Sequence, residues 1–463
     1  MLARLAVNNT LDSKQTCTRV KKNGSQTRSL KAFAEAGNNG ATIQAKTEIA
    51  GDLRMQNLMD PEVQACPYSL YRQLRSESPI YRMPETGFYL VTSFDLCNEI
   101  IRQPDLFISG VSPMALSSDG VPSEVMAVYE EHGWVPAASC STSDRPRHTK
   151  VRGLLSQLFT LAKVRSMVPY IEQTAESLMD GIVNEGECEF VKAFSHPLPM
   201  IVIADQIGVD SRDIELFKRW SDAIVEPFGM MITKERAVEC ARLVVEMQHF
   251  FKEQIDIRRA EPKDDILSQL ANAEYEGGEA IPMNELLTIV TIDLLASGNE
   301  TTTAGISSGM LLLAESPELL ADIQADPELI PTFVEEVLRL ESPAQGMFRQ
   351  VTQDTNVGGI DLREGDVLSL RFGAANRDEA VFQNADQVDL HRKKAGSHLA
   401  FGVGRHHCVG APLARQEMLI SFQIIAKRLR SIRLKNPESP LKYAPSFFGR
   451  NLESLDIEFE ASH

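Results

Sequence analysis

The longest apolar pattern in the chain runs over residues 292–313, where hydrophobic positions dominate and predict a long buried helix. Its centre, residues 297–303, reads S-G-N-E-T-T-T and places a carboxylate, Glu300, among apolar neighbours. Gly inside a helix costs about 1 kcal/mol relative to Ala, and Ser or Thr hydroxyls there can bond backbone carbonyls and bend the helix. Residues that disfavour a helix are more typical of a functional site than of a helix with a purely structural role. The alternative is a surface Gly with polar neighbours.

The remaining hydrophobic periodicity predicts a mainly α protein with a smaller β-rich part. Residues 67–76 have helical spacing, residues 79–92 form a predicted β-hairpin, and residues 162–260 are helical with breaks near 197, 210 and 227–231. Strands are expected at 343–349 and 367–372. Residues 104–140, rich in Ser, Pro and Gly, predict a long loop, a length that usually means ligand binding or motion.

Two helical pairs carry charge at spacings that put both members on one face. His148 and Arg152 are four residues apart, and Glu336 and Arg339 are three apart on a helix opened by Pro331. Taken alone, the first pair is typical of a solvated basic face. The second is typical of an exposed ion pair.

Residues 398–410 read H-L-A-F-G-V-G-R-H-H-C-V-G and place Cys408 in a glycine-rich loop ahead of a predicted helix. Backbone N–H groups and the positive end of the helix dipole at such a position favour thiolate over thiol. A thiolate held this way suits a haem iron. Two alternatives are a small buried cysteine and a zinc site with the nearby histidines, but no second cysteine lies close to Cys408.

The order F-G-x-G-x-H-x-C-x-G in this loop resembles the haem-binding loop of the cytochrome P450 family, and the resemblance extends over roughly residues 60–460. The segment around Glu300 resembles the family's central helix, which binds dioxygen over the haem. There Ser297 stands where Ala or Gly is common. The E-x-x-R of Glu336 and Arg339 matches a buried structural pair of the family.

The resemblance implies the cytochrome P450 fold, one haem b with its iron, and dioxygen as co-substrate. Cys408 would be the axial ligand of the metal, Thr301 would hydrogen-bond dioxygen, and Glu300 would relay protons. The residues implied to pair with the haem propionates are His148, Arg152, Arg349 and His406.

The implied reaction is insertion of one oxygen atom of dioxygen into a C–H or C=C bond. The substrate is expected to be a mainly apolar small molecule of terpenoid, steroid, fatty or aromatic type. Electrons would come from NAD(P)H through a reductase and a separate ferredoxin, since little sequence follows Cys408. The cationic patch formed by Arg145, Arg147, Lys150 and Arg405 is the expected ferredoxin docking site.

Two other functions stay open on the same scaffold. The first is peroxide-driven or oxygen-independent chemistry, against which the intact Glu300 and Thr301 argue. The second is a haem-based sensor or carrier without turnover. The long loop at 104–140 and the apolar helix face favour a substrate pocket instead.

The walls of that pocket are expected from where family members hold ligands. The candidate residues are Met114, Phe228, Met230, Asp293, Ala296, Met347, Phe447 and Phe448. In a regular helix Asp293 would share a face with Ser297 and Thr301, about 12 Å along the axis from Thr301. A carboxylate there would either anchor a donor group of the substrate or cap a neighbouring loop.

Composition limits the class of protein but does not identify its reaction. A net charge of −17 speaks against a nucleic-acid partner, and the apolar runs fall short of the roughly 20 residues of a membrane span. Seven scattered cysteines predict a reducing, cytoplasmic location without a disulfide framework. We expect residues 56–463 to form one P450 domain.

Residues 1–55 differ from the rest of the chain, with seven Lys or Arg and one acid up to residue 34. This composition indicates a disordered N-terminal extension. A transit peptide or a true start at Met55 or Met59 are the alternatives.

Overall fold

A computed structural model describes residues 57–110, 120–210, 214–275 and 277–462. The segment expected to be a disordered extension therefore lies outside the described residues, as does Met114. Over the described ranges the structure is mainly α-helical with small β-sheets, as the hydrophobic pattern predicts. No helix within those ranges is long and apolar enough to cross a membrane.

The helices, numbered α1 to α16 in chain order, are Pro61–Ala65, Tyr68–Glu77, Phe94–Ile101, Ser123–His132, Arg147–Leu158, Leu161–Asp180, Pro197–Ile207, Ile214–Phe228, Lys234–Ala260, Ile266–Ala271, Met283–Thr288, Ser297–Glu315, Pro317–Ala325, Ile330–Glu341, Phe372–Ala375 and Ala411–Arg428. Two π-helical segments, Val191–Ser195 and Ile289–Ala296, precede α7 and α12 directly. Short 3₁₀ turns cover Pro327–Leu329, Ala395–Ser397 and Gly404–His406.

The strands, numbered β1 to β12, are Ile80–Arg82, Tyr89–Val91, Phe107–Ile108, Glu187–Glu189, Glu274–Tyr275, Glu279–Ala280, Gly346–Val351, Thr355–Val357, Ile360–Leu362, Val367–Arg371, Leu429–Leu434 and Asp456–Ala461. A five-stranded sheet has the order β1-β2-β10-β7-β3, in which only β2 and β10 pair in parallel. A second sheet has the order β11-β12-β4, and β5-β6 and β8-β9 are separate hairpins.

Helix α2 shows why these elements form where the sequence predicts them. Its buried positions are Tyr68, Leu70, Tyr71 and Leu74, which recur at helical spacing and pack under the five-stranded sheet with Phe88 and Phe348. The hairpin predicted at 79–92 is β1-β2, with Tyr81 opposite Leu90. Here local periodicity and tertiary packing agree.

The segment at 104–140 is not one long loop. It contains β3 and helix α4, whose buried Val125, Val128 and Tyr129 pack into the main core. The spacing of these three residues is helical, but the flanking Ser and Pro residues obscure it. The structure therefore corrects the predicted loop.

The main core surrounds α12, which contacts α7, α14 and α16. Tight packing explains the glycines of α12, because a Cβ at Gly309 would lie 2.1 Å from the Phe422 ring of α16. Helix α12 is thus packed on several sides. This packing fixes the positions of the residues in its N-terminal turns.

Cysteine pairing departs from the sequence expectation at one position. Cys97, Cys140, Cys188, Cys240 and Cys408 are free thiols, whereas Cys66 is disulfide-bonded. The sequence predicts no disulfide framework and gives no indication of a disulfide at Cys66.

Candidate functional site

The loop before α16 presents Cys408 to an internal cavity of about 240 Å³. Gly402 and Gly404 have φ values of +62° and +68°, which residues with a Cβ rarely adopt, so these turns require glycine. The Cys408 N–H donates to the Phe401 carbonyl at 2.9 Å and closes the loop. The sulfur is open to the cavity although it lies deep inside the protein.

The pKa of the Cys408 thiol differs from the expectation drawn from the helix start. Burial raises it, while backbone hydrogen bonds from Gly410 and Ala411 and the charge of Arg152 act in the opposite direction. The backbone donors are present as predicted, but their effect on the pKa is smaller than that of burial. A bound metal ion supplies the missing positive charge and deprotonates a coordinating thiol.

The four residues predicted to face the propionates line the same cavity as Cys408. His148 and Arg152 extend from α5, Arg349 from β7 and His406 from the turn before the cysteine. The rings of His148 and His406 lie 4.3 Å apart between their centroids. Residues separated by more than two hundred positions in the chain thus converge on one side of the cavity.

The ring nitrogens and guanidinium of this group indicate which kind of ligand it fits. His148 Nε2 and both ring nitrogens of His406 are buried and have no hydrogen-bond partner among the described residues. Burial lowers the pKa of Arg349 to about 10. Burial and the charge of Arg349 lower the pKa of His406 to about 3. The Arg349 guanidinium and the N–H group of each histidine can donate to two carboxylates, so the residues fit the propionates of a haem.

The wall opposite the cysteine loop is built by the π-helical segment Ile289–Ala296 and the first turns of α12. The Ser297 hydroxyl donates to the Ile292 carbonyl at 2.8 Å, and the Thr301 hydroxyl donates to the Ser297 carbonyl at 3.2 Å. Both residues border the cavity. These hydroxyls bond backbone carbonyls as predicted, and the helical hydrogen bonding changes from π to α at Ser297.

Glu300 is held in a polar group that the sequence did not reveal. Its Oε1 accepts hydrogen bonds from Ser221 at 3.2 Å and Asn299 at 3.1 Å. On α8, Lys218 donates to Asp222 at 2.7 Å. Burial raises the pKa of Glu300 to about 7, although Lys218 opposes the rise, so this carboxyl can hold or release a proton near neutral pH.

A second cavity of about 550 Å³ adjoins the first at Thr301. Five residues border both cavities: Ser141, Ser297, Thr301, Pro343 and Met347. The larger cavity is mostly apolar, and Glu300 and Lys218 lie at its polar side. A molecule held in it would therefore reach the space between Thr301 and Cys408.

Sequence comparison agrees with this geometry. Residues 214–448 match the cytochrome P450 family. The chain is 33% identical over 398 residues to a biotin biosynthesis cytochrome P450 of Bacillus subtilis, a match that covers 85% of this chain and 96% of the relative. The chain belongs to the cytochrome P450 family. It is an oxidoreductase that incorporates oxygen, and the family implies a haem-iron cofactor.

Other relatives and solved structures of P450s are similar over the same length. A steroid C26-monooxygenase of Mycobacterium tuberculosis is 32% identical over 394 residues, covering 85% of this chain and 93% of the relative. P450BioI, solved in complex with hexadec-9Z-enoic acid ligated acyl carrier protein, has a TM-score of 0.78 at 31% identity and covers 86% of this chain and 99% of its own. The cytochrome P450 CREJ, bound to (4-ethylphenyl) dihydrogen phosphate, has a TM-score of 0.82 at 26% identity, covering 88% and 100%.

Most of the predicted wall residues of this P450 do line a cavity. Phe228, Ala296, Met347 and Phe448 border the larger one, and Asp293 borders the smaller one.

Two predicted wall residues of the P450 are wrong. Phe447 is 1% exposed, stacks on Phe348 at 5.8 Å and lies under the Arg371 guanidinium, so it belongs to the core. Met231 lines the larger cavity in place of its neighbour Met230.

Asp293 lies in the π-helical segment Ile289–Ala296 and borders the smaller cavity together with Ser297 and Thr301. Its Oδ1 accepts a hydrogen bond from the Cys140 N–H at 2.9 Å. Its Oδ2 is buried without a partner among the described residues. Burial raises the pKa of Asp293 to about 7. The contact is the one expected of a residue that caps a neighbouring loop.

The predicted E-x-x-R pair of the P450 is fully buried behind the cavity. Arg339 donates to both oxygens of Glu336 at 2.7 and 2.9 Å, and Arg392 donates to the same carboxylate at 2.8 Å. Among the described residues, no group of three or more His, Cys, Asp or Glu could hold a metal ion, which leaves the zinc alternative without a ligand set.

The predicted cationic docking patch is largely neutralised. Arg147 pairs with Glu285, Lys150 with Glu279 at 2.6 Å and Arg405 with Asp105 at 3.0 Å. Three of its four cations thus have carboxylate partners. The patch is not the field of unpaired positive charge that the sequence suggested.

Glu417 is another buried carboxyl, and the sequence analysis did not predict it. It projects from α16 into the core next to the smaller cavity, and it is 1% exposed. Burial raises its pKa to about 8, while a hydrogen bond with Thr302 acts in the opposite direction. An acid on the same apolar helix side as Leu413 and Ser421 was the available signal.

Proposed function

We propose that this P450 inserts one oxygen atom of dioxygen into a C–H or C=C bond of a mainly apolar small molecule of terpenoid, steroid, fatty or aromatic type. The observation that carries the proposal is the apolar cavity of about 550 Å³ that adjoins the Cys408 cavity at Thr301. Cavities of this size hold ligands of such classes. The steroid named for one relative and the fatty acyl group bound in one neighbour support the same range.

In this proposal Cys408 would bind the haem iron through its sulfur, and His148, Arg152, Arg349 and His406 would hold the haem propionates. A haem held by a thiolate would supply the chemistry that activates dioxygen. The protein contributes by binding and orienting the substrate beside that group and by controlling water and protons.

Glu300 and Thr301 are the proposed proton-handling residues. Glu300 borders the larger cavity next to Thr301 in the chain, and its pKa of about 7 lets it take up or release a proton near neutral pH. Thr301 donates its hydroxyl hydrogen to the Ser297 carbonyl and borders both cavities, so the lone pairs of its hydroxyl oxygen remain free to accept. They can order a proton-carrying water there.

Electrons are proposed to come from NAD(P)H through a reductase and a ferredoxin-type protein in the cytoplasm. Because Arg147, Lys150 and Arg405 are already paired with carboxylates, ferredoxin binding at this patch would exchange intramolecular ion pairs for intermolecular ones. The expected association is therefore weaker and less dependent on salt than an unpaired patch would give.

The test is a ligand screen followed by turnover. Purified holoenzyme is titrated with terpenoids, steroids, fatty acids and aromatic compounds while the haem absorption shift is recorded. Compounds that bind are then incubated with a surrogate ferredoxin, its reductase, NADH and isotope-labelled dioxygen. We expect one labelled oxygen atom in the product.

Two controls separate this proposal from its alternatives. Product formed with hydrogen peroxide but not with the redox proteins would favour peroxide-driven chemistry. Ala296→Phe narrows the larger cavity and should weaken binding of the larger probes while the haem spectrum stays normal. If no compound of any class shifts the spectrum, the proposed substrate class is wrong.

A further inference from the structure

The junction between the two cavities is polar, although most of the larger cavity is apolar. Ser141 and Ser297 border both cavities, and both side chains are exposed toward this internal space. Ser141 belongs to the segment after α4, and Ser297 is the first residue of α12. Two hydroxyl groups from different parts of the chain therefore face the place where a substrate would meet Thr301.

The Ser297 hydroxyl can act only as an acceptor toward a ligand. Its single hydrogen is donated to the Ile292 carbonyl at 2.8 Å, a bond spanning five residues that the π-helical segment makes possible. The remaining lone pairs of the oxygen are left for a donor group in the cavity. Ala or Gly at this position would offer only hydrocarbon or empty space.

The Ser141 hydroxyl is held by its own loop. It lies 2.9 Å from the Ser139 hydroxyl, a contact in which either group can donate, so Ser141 can donate to or accept from a ligand. The neighbouring Cys140 N–H is fixed by Asp293 at 2.9 Å. Asp293 borders the smaller cavity but not the larger one, so it holds the loop without bordering the space assigned to the substrate.

We propose that Ser141 and Ser297 recognise a hydroxyl group on the substrate, which makes the substrate an apolar alcohol. The alcohol O–H donates to Ser297, and its oxygen accepts from Ser141. Asp293 is a positioning residue that places Ser141 through Cys140. This inference rests on the proposed function, because it concerns the molecule held in the same cavity.

The arrangement also predicts an order of preference among related molecules. An alcohol satisfies both serines, a ketone can only accept and so satisfies Ser141 alone, and a hydrocarbon leaves both without a partner. The reaction that supplies this substrate would then be a hydroxylation or a carbonyl reduction of an apolar precursor. Oxidation beside the hydroxyl would give a product with two oxygen functions.

The test uses two sets of probes that share a carbon skeleton. The first set is menthol, menthone and p-menthane, and the second is cyclododecanol, cyclododecanone and cyclododecane. Dissociation constants for the holoenzyme are measured by the haem absorption shift and by calorimetry. We expect the wild type to bind the alcohol of at least one set about 10-fold more tightly than the hydrocarbon.

Serine variants assign that preference to the two hydroxyls. Ser297→Ala should raise the dissociation constant of the alcohol about 10-fold and leave those of the ketone and the hydrocarbon unchanged. Ser141→Ala should weaken both alcohol and ketone. Ser307→Ala is the matched control, because Ser307 lies on the same helix, is buried and bonds Ser195 at 2.7 Å outside both cavities. It should leave every affinity unchanged.

Variants of Asp293 test its positioning role. Asp293→Asn keeps an acceptor for the Cys140 N–H and should keep the alcohol preference, whereas Asp293→Leu should lose it with Ser297 intact. If the Leu variant does not fold, the Asn variant and the two serine variants decide the question. Equal affinities for alcohol and hydrocarbon in the wild type would overturn the inference while leaving the proposed function standing. Binding of neither skeleton would count against both.

Discussion

The carboxylate of Glu336 and the guanidinium of Arg339 form an ion pair in which neither side chain is exposed to solvent. The guanidinium also donates to the carbonyls of Asn376, Ala385 and Gln387, so it fastens α14 to the chain that leads into the cysteine loop. This pair thus supports the haem site without reaching it.

Arg339→Ala should lower the free energy of unfolding by about 3–5 kcal/mol, because it leaves the Glu336 carboxylate buried with a weaker set of partners. Urea unfolding followed by circular dichroism measures the change. Arg433→Ala is the matched control, since Arg433 pairs with Glu458 at 2.7 Å on the surface and its removal should cost at most about 1 kcal/mol. Similar decreases in the free energy of unfolding of the two variants would show that the buried pair stabilises the fold no more than the surface pair does.

Cys408→Ser should abolish the thiolate-type absorption spectrum of the reduced carbon monoxide complex, because a hydroxyl does not supply the electron density of a thiolate. The same spectrum of Cys188→Ser, which replaces a free thiol outside both cavities, should be unchanged. A normal spectrum and full activity in the Cys408 variant would mean that another residue is the axial ligand.

Thr301→Ala should keep the haem but reduce the product formed per NADH by about 10-fold or more, with the lost reducing equivalents appearing as peroxide or water. Product, NADH and peroxide are measured in the same reaction. Thr291→Ala removes a similar hydroxyl, which donates to the Leu287 carbonyl at 2.8 Å outside both cavities. Coupling in this control should be normal, and equal coupling in both variants would contradict the role of Thr301.

Glu417→Gln should change how stability depends on pH. Burial raises the pKa of Glu417 from 4.5 to about 8, so the folded protein keeps a proton that the unfolded chain releases. Between these values stability falls as pH rises, by at most about 1.4 kcal/mol per pH unit from this group.

The neutral amide of the Gln variant removes this contribution. The thermal midpoint of the variant minus that of the wild type should therefore increase from pH 5 to pH 8. Differential scanning calorimetry of the two holoenzymes provides the measurement. Glu438→Gln, at an exposed position, controls for the loss of a carboxylate as such. A difference between wild type and Glu417→Gln that stays constant with pH would show that Glu417 is ionised in the fold.

Motifs whose parts are close in sequence were the most predictable. The loop around Cys408 and the buried pair of Glu336 and Arg339 are each contained within a few residues, so their spacing alone indicated their geometry. The four proposed propionate partners come from three separate parts of the chain: His148 and Arg152 from α5, Arg349 from β7, and His406 from the turn before Cys408. They were found only because each belongs to a motif of the family, and the structure brings them to one cavity.

The features that sequence reasoning missed depend on contacts between distant or uniformly apolar segments. Ser221 is 79 residues from Glu300, and no local pattern links them. The segment Ile289–Ala296 is apolar on nearly every side, so its hydrophobic pattern could not distinguish a π-helix from an α-helix. Asp293 in this segment also bonds the Cys140 N–H, a contact across 153 positions of the chain that no local pattern indicates.

The unpartnered donors of His148 and His406 have a consequence for how the polypeptide matures. Before it binds haem, the folded chain must bury these groups and the Arg349 guanidinium without anions, which costs free energy. A ligand that binds only the folded chain stabilises it by mass action. The supply of haem during synthesis should therefore set the yield of folded protein, and apoprotein made under haem starvation should be the form that proteases remove.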